Sequence, residues 1–85
     1  MTKVEIYVKT TCSFCIRARA LLDRKNANAE VTIVDQGGPK RDEMIERAGG
    51  RMTVPQIFIG GKHIGGCDDL VRLDQLGRLD ELLAA

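Results

Sequence analysis

The chain has 85 residues and a formal net charge of +1. This size predicts one small domain, residues 1–85, near the lower limit of proteins that fold without a disulfide or a metal. The near-neutral charge argues against nucleic acid as a partner, and no apolar run approaches the roughly 18 to 20 residues of a membrane span. Lys3 and Glu5 interrupt the N-terminal apolar stretch that a signal peptide needs. We therefore expect a soluble, cytoplasmic protein with no membrane partner.

The first half of the chain predicts a β-α-β unit. Apolar and polar residues alternate over Val4–Val8, which indicates a strand with one face inward. An apolar stripe then predicts a helix over about Ser13–Asn26, and the run Val31–Val34 predicts a second strand. Because all three fit within about 30 residues, the two strands should be parallel and joined by a right-handed crossover.

The second half predicts another helix and a β-hairpin. Pro39 suits the first position of the helix, and Gly49-Gly50 ends it. The run Gln56–Ile59 predicts a third strand, Gly60-Gly61 a two-residue turn, and Lys62–Ile64 a short fourth strand.

A glycine pair, Gly65-Gly66, precedes the last helical region. Asp68 or Asp69 can cap this third helix, and Gly77 separates it from a final helical segment. The order β-α-β-α-β-β-α predicts an α/β fold in which helices flank both faces of a four-stranded mixed sheet.

The segment Thr10–Cys15 joins the first strand to the first helix and holds two of the three cysteines. A close cysteine pair beside a β-α-β pattern is typical of a redox motif in a reducing compartment. Cys12 precedes the first helical turn, whose free N–H groups and dipole, together with nearby Lys9, favour its thiolate. Cys15 lies on the core-facing stripe and should be less exposed and less acidic. We therefore expect Cys12 to attack a substrate disulfide and Cys15 to resolve the mixed disulfide.

Two other interpretations of the cysteines are open. Cys12 and Cys15 could form a static disulfide or be two buried thiols. They could also join His63 and Cys67 as four zinc ligands, although structural zinc sites usually draw cysteines from knuckles or ribbons.

Three motifs together resemble those of the glutaredoxins, most closely the small bacterial dithiol class of the glutaredoxin 3 type. They are Thr11–Cys15, Thr53–Ile59 and His63–Leu70, and the last two separate glutaredoxins from other proteins with the thioredoxin fold. The resemblance implies a thioredoxin fold and a glutathione-dependent thiol–disulfide oxidoreductase. Its partners would be glutathione and disulfide-containing or glutathionylated proteins.

The resemblance also implies a glutathione site around Cys12. Pro55 would be cis and would align the backbone of Val54 with the glutathione cysteine. The first N–H groups of the third helix would hold the γ-glutamyl carboxylate, with an aspartate near the ligand's ammonium group. The binding residues so implied are Lys9, Phe14, Thr53, Val54, Pro55, Gly66, Cys67, Asp68 and Asp69. From the residues alone, Lys9 could equally be a solvated charge, Cys67 an inert thiol, and both aspartates simple helix caps.

Ser13 and Phe14 depart from the Pro and Tyr of the common family motif. Serine at this position also occurs in glutaredoxins that hold a [2Fe–2S] cluster between two monomers with glutathione thiols. A cluster-binding dimer with Cys12 as ligand is therefore the alternative function. Without the cluster we expect a monomer and no bound metal.

Overall fold

A computed structural model of the chain describes residues 2–85. The strands and helices follow the predicted order, and the final helical segment forms a fourth helix after the third. The elements are β1 (Val4–Val8), α1 (Ser13–Arg24), β2 (Glu30–Ile33), α2 (Pro39–Arg47), β3 (Gln56–Ile59), β4 (Lys62–Gly65), α3 (Cys67–Gln75) and α4 (Arg78–Ala84).

The four strands form one mixed sheet in the order β2-β1-β3-β4. β1 is parallel to β2, with Glu5 opposite Glu30. β3 is antiparallel to both β1 and β4. The predicted β-α-β unit and hairpin are therefore confirmed, and β1 lies at the centre with its C-terminal end leading into the cysteine motif.

Helices cover both faces of the sheet. One face, called the cysteine face because Cys15 and Cys67 are buried there, packs on α1, α3 and α4. It contains the larger apolar cluster, with Ile6, Leu22 and Leu70 among its fully buried residues. The α2 face contains Tyr7, Val34, Met44, Ala48 and Phe58.

Tyr7 lies on the polar side of the β1 alternation, yet it is only 2% exposed. It is buried because α2 covers this second face, which a period of two cannot reveal. By contrast, Val31 and Ile33 are exposed, since β2 is an edge strand.

The helix ends differ in detail from the prediction. α1 ends at Arg24, and Asn26 and Asn28 follow with positive φ angles of 55° and 52°, which asparagine tolerates in turns. α3 begins at Cys67 with Gly66 as its N-cap, so neither aspartate is the N-cap residue. Within the part of the chain that is described, no helix has the length and apolar character needed to cross a membrane.

Candidate active site

Cys12 is the N-cap residue of α1 and has an extended backbone, with a φ angle of −137° and a ψ angle of 108°. Its Sγ accepts a hydrogen bond of 3.2 Å from the backbone N–H of Cys15. The sulfur thus takes the place of the oxygen in an ordinary N-cap, at the positive end of the helix dipole. The side chain is half-buried and its thiol is free. This geometry gives the predicted nucleophile an N–H donor that stabilises negative charge.

Cys15 lies one turn later on the core-facing stripe of α1 and is 1% exposed. Burial, and then its hydrogen bond with Cys12, raise the pKa of the Cys15 thiol to about 11, while a backbone hydrogen bond from Lys9 acts in the opposite direction. A thiol with this pKa is protonated at neutral pH. The two cysteines therefore differ in exposure as the sequence predicts.

The turn Thr53–Pro55 lies beside Cys12. The Val54–Pro55 peptide bond is cis, as the resemblance implied. The carbonyl oxygen of Val54 is 3.9 Å from Cys12 Sγ, and the Val54 side chain packs against the apolar clusters of both sheet faces. The backbone of Val54 consequently borders the Cys12 sulfur.

Asp69 links the start of α3 to the segment before the turn. Its Oδ2 accepts a 2.8 Å hydrogen bond from the N–H of Gly66 and lies 3.3 Å from Arg51 Nη1. The Gly66 hydrogen bond and the charge of Arg51 lower the pKa of Asp69. Asp69 therefore caps the helix from the third helical position, and both Asp68 and Asp69 are exposed.

Gly65 is needed for this arrangement. Its φ angle is +119°, and a Cβ at this position would lie only 2.3 Å from Asp69 Oδ2 and 2.9 Å from Arg51 Nη1. A side chain here would push both charged groups away. The space beside Gly65 is therefore occupied by the side chains of Asp69 and Arg51.

The predicted binding residues meet in one cleft between the start of α3, the Thr53–Pro55 turn and the start of α1. Only Lys9, exposed at the end of β1, lies outside it. The cleft is lined by Phe14, Arg51, Thr53, Val54, Pro55, Gly66, Cys67, Asp68 and Asp69.

Arg51 is a cleft residue that was not predicted from the sequence. This cation stands two residues before Thr53, and that proximity to a proposed anion site is the signal that could have found it. Its partner Asp69 lies 18 residues away, so the pairing itself could not be inferred.

Neither alternative for the cysteines is supported. The three thiols are free, Cys12 is partly exposed, and burial raises the pKa of Cys67. His63 is hydrogen-bonded to another side chain, since its Nε2 lies 2.7 Å from Gln56 Oε1. Among residues 2–85, no group of three or more His, Cys, Asp or Glu side chains could hold a metal ion.

A model of the glutaredoxin family matches residues 4–64. The chain belongs to the glutaredoxin family. It is 55% identical over 83 residues to glutaredoxin 3 of Escherichia coli strain K12, which covers 98% of this chain and 99% of that protein. Glutaredoxins are thiol–disulfide oxidoreductases, so the chain is an enzyme of this class, and the cysteine motif at the start of α1 fits that chemistry.

Two solved glutaredoxin structures superimpose closely on the chain. Glutaredoxin from Brucella melitensis is 49% identical with a TM-score of 0.84, covering 98% of this chain and 89% of that one. A buckwheat glutaredoxin–glutathione complex is 32% identical with a TM-score of 0.86, covering 98% and 77%. The thioredoxin fold predicted from the sequence is confirmed.

Proposed function

We propose that the cleft binds glutathione and that Cys12 and Cys15 carry out glutathione-dependent reduction of protein disulfides and glutathione mixed disulfides. The observation that carries this proposal is the position of Cys12 Sγ, which lies between the N–H of Cys15 and the carbonyl of Val54. The similar buckwheat protein has been solved as a complex with glutathione, which supports the choice of ligand.

The cleft offers complementary groups for each part of the tripeptide. The backbone of Val54 pairs with the glutathione cysteine and brings its sulfur to Cys12. Arg51 and the first N–H groups of α3 in the cleft, together with Lys9 outside it, attract the two carboxylates. Asp69 is already bound by Gly66 and Arg51, so the exposed carboxylate of Asp68 is the better partner for the ammonium group.

The reaction begins when the Cys12 thiolate attacks the glutathione sulfur of a mixed disulfide. A Cys12–glutathione disulfide forms, and the protein thiolate leaves and takes up a proton. A second glutathione thiolate then attacks the glutathione sulfur bound to Cys12, which releases oxidised glutathione and regenerates the Cys12 thiolate.

A protein disulfide follows a second route that needs both cysteines. After Cys12 has formed a mixed disulfide with the substrate protein, the Cys15 thiol loses its proton and attacks Cys12 Sγ. The reduced protein is released, and the Cys12–Cys15 disulfide is reduced by two glutathione molecules. Burial of Cys15 keeps it protonated until this step.

The test is turnover of a glutathione mixed disulfide by the wild type and two cysteine variants. Cys12→Ser should abolish activity because serine is a poor nucleophile here. Cys15→Ser removes a thiol of the same motif, but it should retain deglutathionylation and lose reduction of protein disulfides. An active Cys12→Ser variant would show that the mechanism is wrong.

The second candidate function is a [2Fe–2S] dimer in which Cys12 and glutathione are the ligands. The observation that favours it is that Cys12 is only partly buried and stands beside the exposed Ser13 at the start of α1. Anaerobic reconstitution with iron, sulfide and glutathione should then give a coloured dimer. A colourless monomer would contradict it.

We also propose that residues 1–85 form one glutaredoxin domain and that, without a cluster, it acts as a monomer in the cytoplasm. The family match over residues 4–64 supports the single domain. Sedimentation of the purified protein, with and without reconstitution, tests the oligomeric state.

A further inference from the structure

Gln56 is a buried polar residue with all of its hydrogen-bonding groups paired. Its side chain is 0% exposed. The amide nitrogen donates to the Thr53 carbonyl at 3.0 Å and approaches Thr53 Oγ1 at 3.3 Å. The amide oxygen lies 2.7 Å from Nε2 of His63. A buried amide that is hydrogen-bonded at both ends has one preferred orientation. Turning the Gln56 amide over would place its oxygen against the carbonyl oxygen of Thr53, and both atoms are acceptors.

Gln56 lies where the Thr53–Pro55 turn ends and strand β3 begins. It is the first residue of β3 and pairs with Tyr7 of β1. Pro55 has no backbone N–H and therefore cannot donate a ladder hydrogen bond. The side chain of Gln56 consequently supplies a link between the sheet and Thr53 that the backbone of Pro55 cannot make.

His63 holds the other end of the amide. Since the Gln56 nitrogen donates to Thr53, the Gln56 oxygen must accept, and His63 must donate from a protonated Nε2. The imidazole also stacks on Phe58, with ring centroids 5.1 Å apart. These contacts hold the oxygen end of the Gln56 amide, while Thr53 holds its nitrogen end.

We propose that Gln56, oriented by His63, is a positioning residue that holds Thr53 and Val54 where glutathione binds. Gln56 does not touch the ligand and acts only through the turn. The proposal rests on the function proposed above, because it assumes that the Thr53–Val54 edge receives glutathione.

The main test compares Gln56→Met with Ile57→Val in steady-state turnover of a glutathione mixed disulfide. Methionine keeps the length of the side chain and removes both donor hydrogen bonds to Thr53. We expect KM for the mixed disulfide to rise about tenfold while kcat stays within about twofold. Ile57 is buried in the same strand, so Ile57→Val should reduce stability and leave KM unchanged. If Gln56→Met and Ile57→Val have the same KM, the inference is wrong.

A second variant and a spectroscopic measurement keep the test decisive if Gln56→Met folds poorly. His63→Phe preserves an aromatic ring beside Phe58 and removes the Nε2 donor, so KM should rise by about threefold. Nitrogen-15 NMR of the wild type should show the Nε2-protonated tautomer of His63. A Nδ1-protonated ring, or an unchanged KM in His63→Phe, would overturn the role of His63.

The result is distinguishable from failure of the proposed function. If wild-type protein does not turn over the glutathione mixed disulfide, glutathione-dependent reduction itself is wrong. If the wild type is active and Gln56→Met has wild-type KM, only the positioning role is wrong.

Discussion

The two faces of the sheet are held together by different physical means. The cysteine face is a broad apolar cluster to which α1, α3 and α4 contribute, and Cys15 and Cys67 are among its buried members. The α2 face has a smaller apolar cluster and a charged pair at its margin, in which Arg47 binds Glu5 through two 3.0 Å hydrogen bonds. Arg47 also donates to the Tyr7 hydroxyl at 2.8 Å and lies 4.0 Å from the centre of the Phe58 ring.

The cleft depends on both faces, in separate ways. The cysteine face buries Cys15 and positions Cys12 at the start of α1. Gln56 shares the α2 face with its strand neighbour Tyr7 and reaches the turn through Thr53. Val54 packs against both clusters. Changes on the cysteine face should therefore affect the helix that holds the thiols, whereas changes at Gln56 should affect ligand binding.

The largest expected effect on stability comes from creating a cavity in the apolar core of the cysteine face. Leu22→Ala removes a side chain that is 1% exposed, so we expect the free energy of unfolding to fall by about 2–5 kcal/mol. Ile16→Ala is the matched control, because Ile16 is on the same helix and 63% exposed. Urea denaturation should show a change of at most about 0.5 kcal/mol for the control. Similar losses in both variants would mean that α1 does not pack as described.

The next largest effect should come from breaking the charged pair of the α2 face. Arg47→Met leaves the partly buried Glu5 without its partner and removes the cation–π contact with Phe58, for an expected loss of about 2 kcal/mol. Because Arg47 contacts Tyr7 and Phe58 on the face of the sheet opposite the thiols, kcat should not change. Arg24→Met, an exposed arginine of α1, should be close to neutral. A loss of turnover as large as the loss of stability would show that the two faces are not separable.

The sequence predicted most of the fold because its signals are local. The alternation in β1, the glycine turns and the cysteine spacing each depend on neighbouring residues, and the corresponding strands, turns and N-cap are present. The resemblance to glutaredoxins supplied the cleft residues.

What the sequence did not reveal are pairings between distant residues. Tyr7 and Gln56 are buried because α2 covers their face of the sheet. Arg51 joins the cleft through Asp69, and Gln56 binds Thr53 and His63. These contacts depend on how elements pack, which neither periodicity nor spacing encodes.

A smaller effect concerns the pH dependence of the α2 face. The hydrogen bonds from Arg47 lower the pKa of Glu5 below its ordinary value of 4.5. The folded state therefore binds the Glu5 proton less tightly than the unfolded state does. The stability from this pair is present above about pH 5 and is lost as the pH falls through the lowered pKa.

Glu5→Gln measures this contribution. At pH 7 the variant should be less stable by about 1 kcal/mol or less, and the difference from the wild type should shrink as the pH falls towards 3. Urea denaturation at several pH values checks this expectation. A difference that is constant with pH would mean that the ionised carboxylate contributes nothing to the pair.

The smallest expected effect tests a charged contact that joins three helices of the cysteine face. Lys25 follows the end of α1. Its Nζ lies 2.9 Å from Oδ1 of Asp74 in α3 and 2.9 Å from Oδ1 of Asp80 in α4. Lys25→Met should lower the urea midpoint slightly at low salt, and the difference should shrink at high salt because salt screens partly exposed charges. Lys40→Met is the control, since Lys40 contacts Glu43 within a single helix. If Lys25→Met proves more harmful than Arg47→Met, charge rather than apolar packing holds α1 to α3 and α4, and the contrast between the two faces must be abandoned.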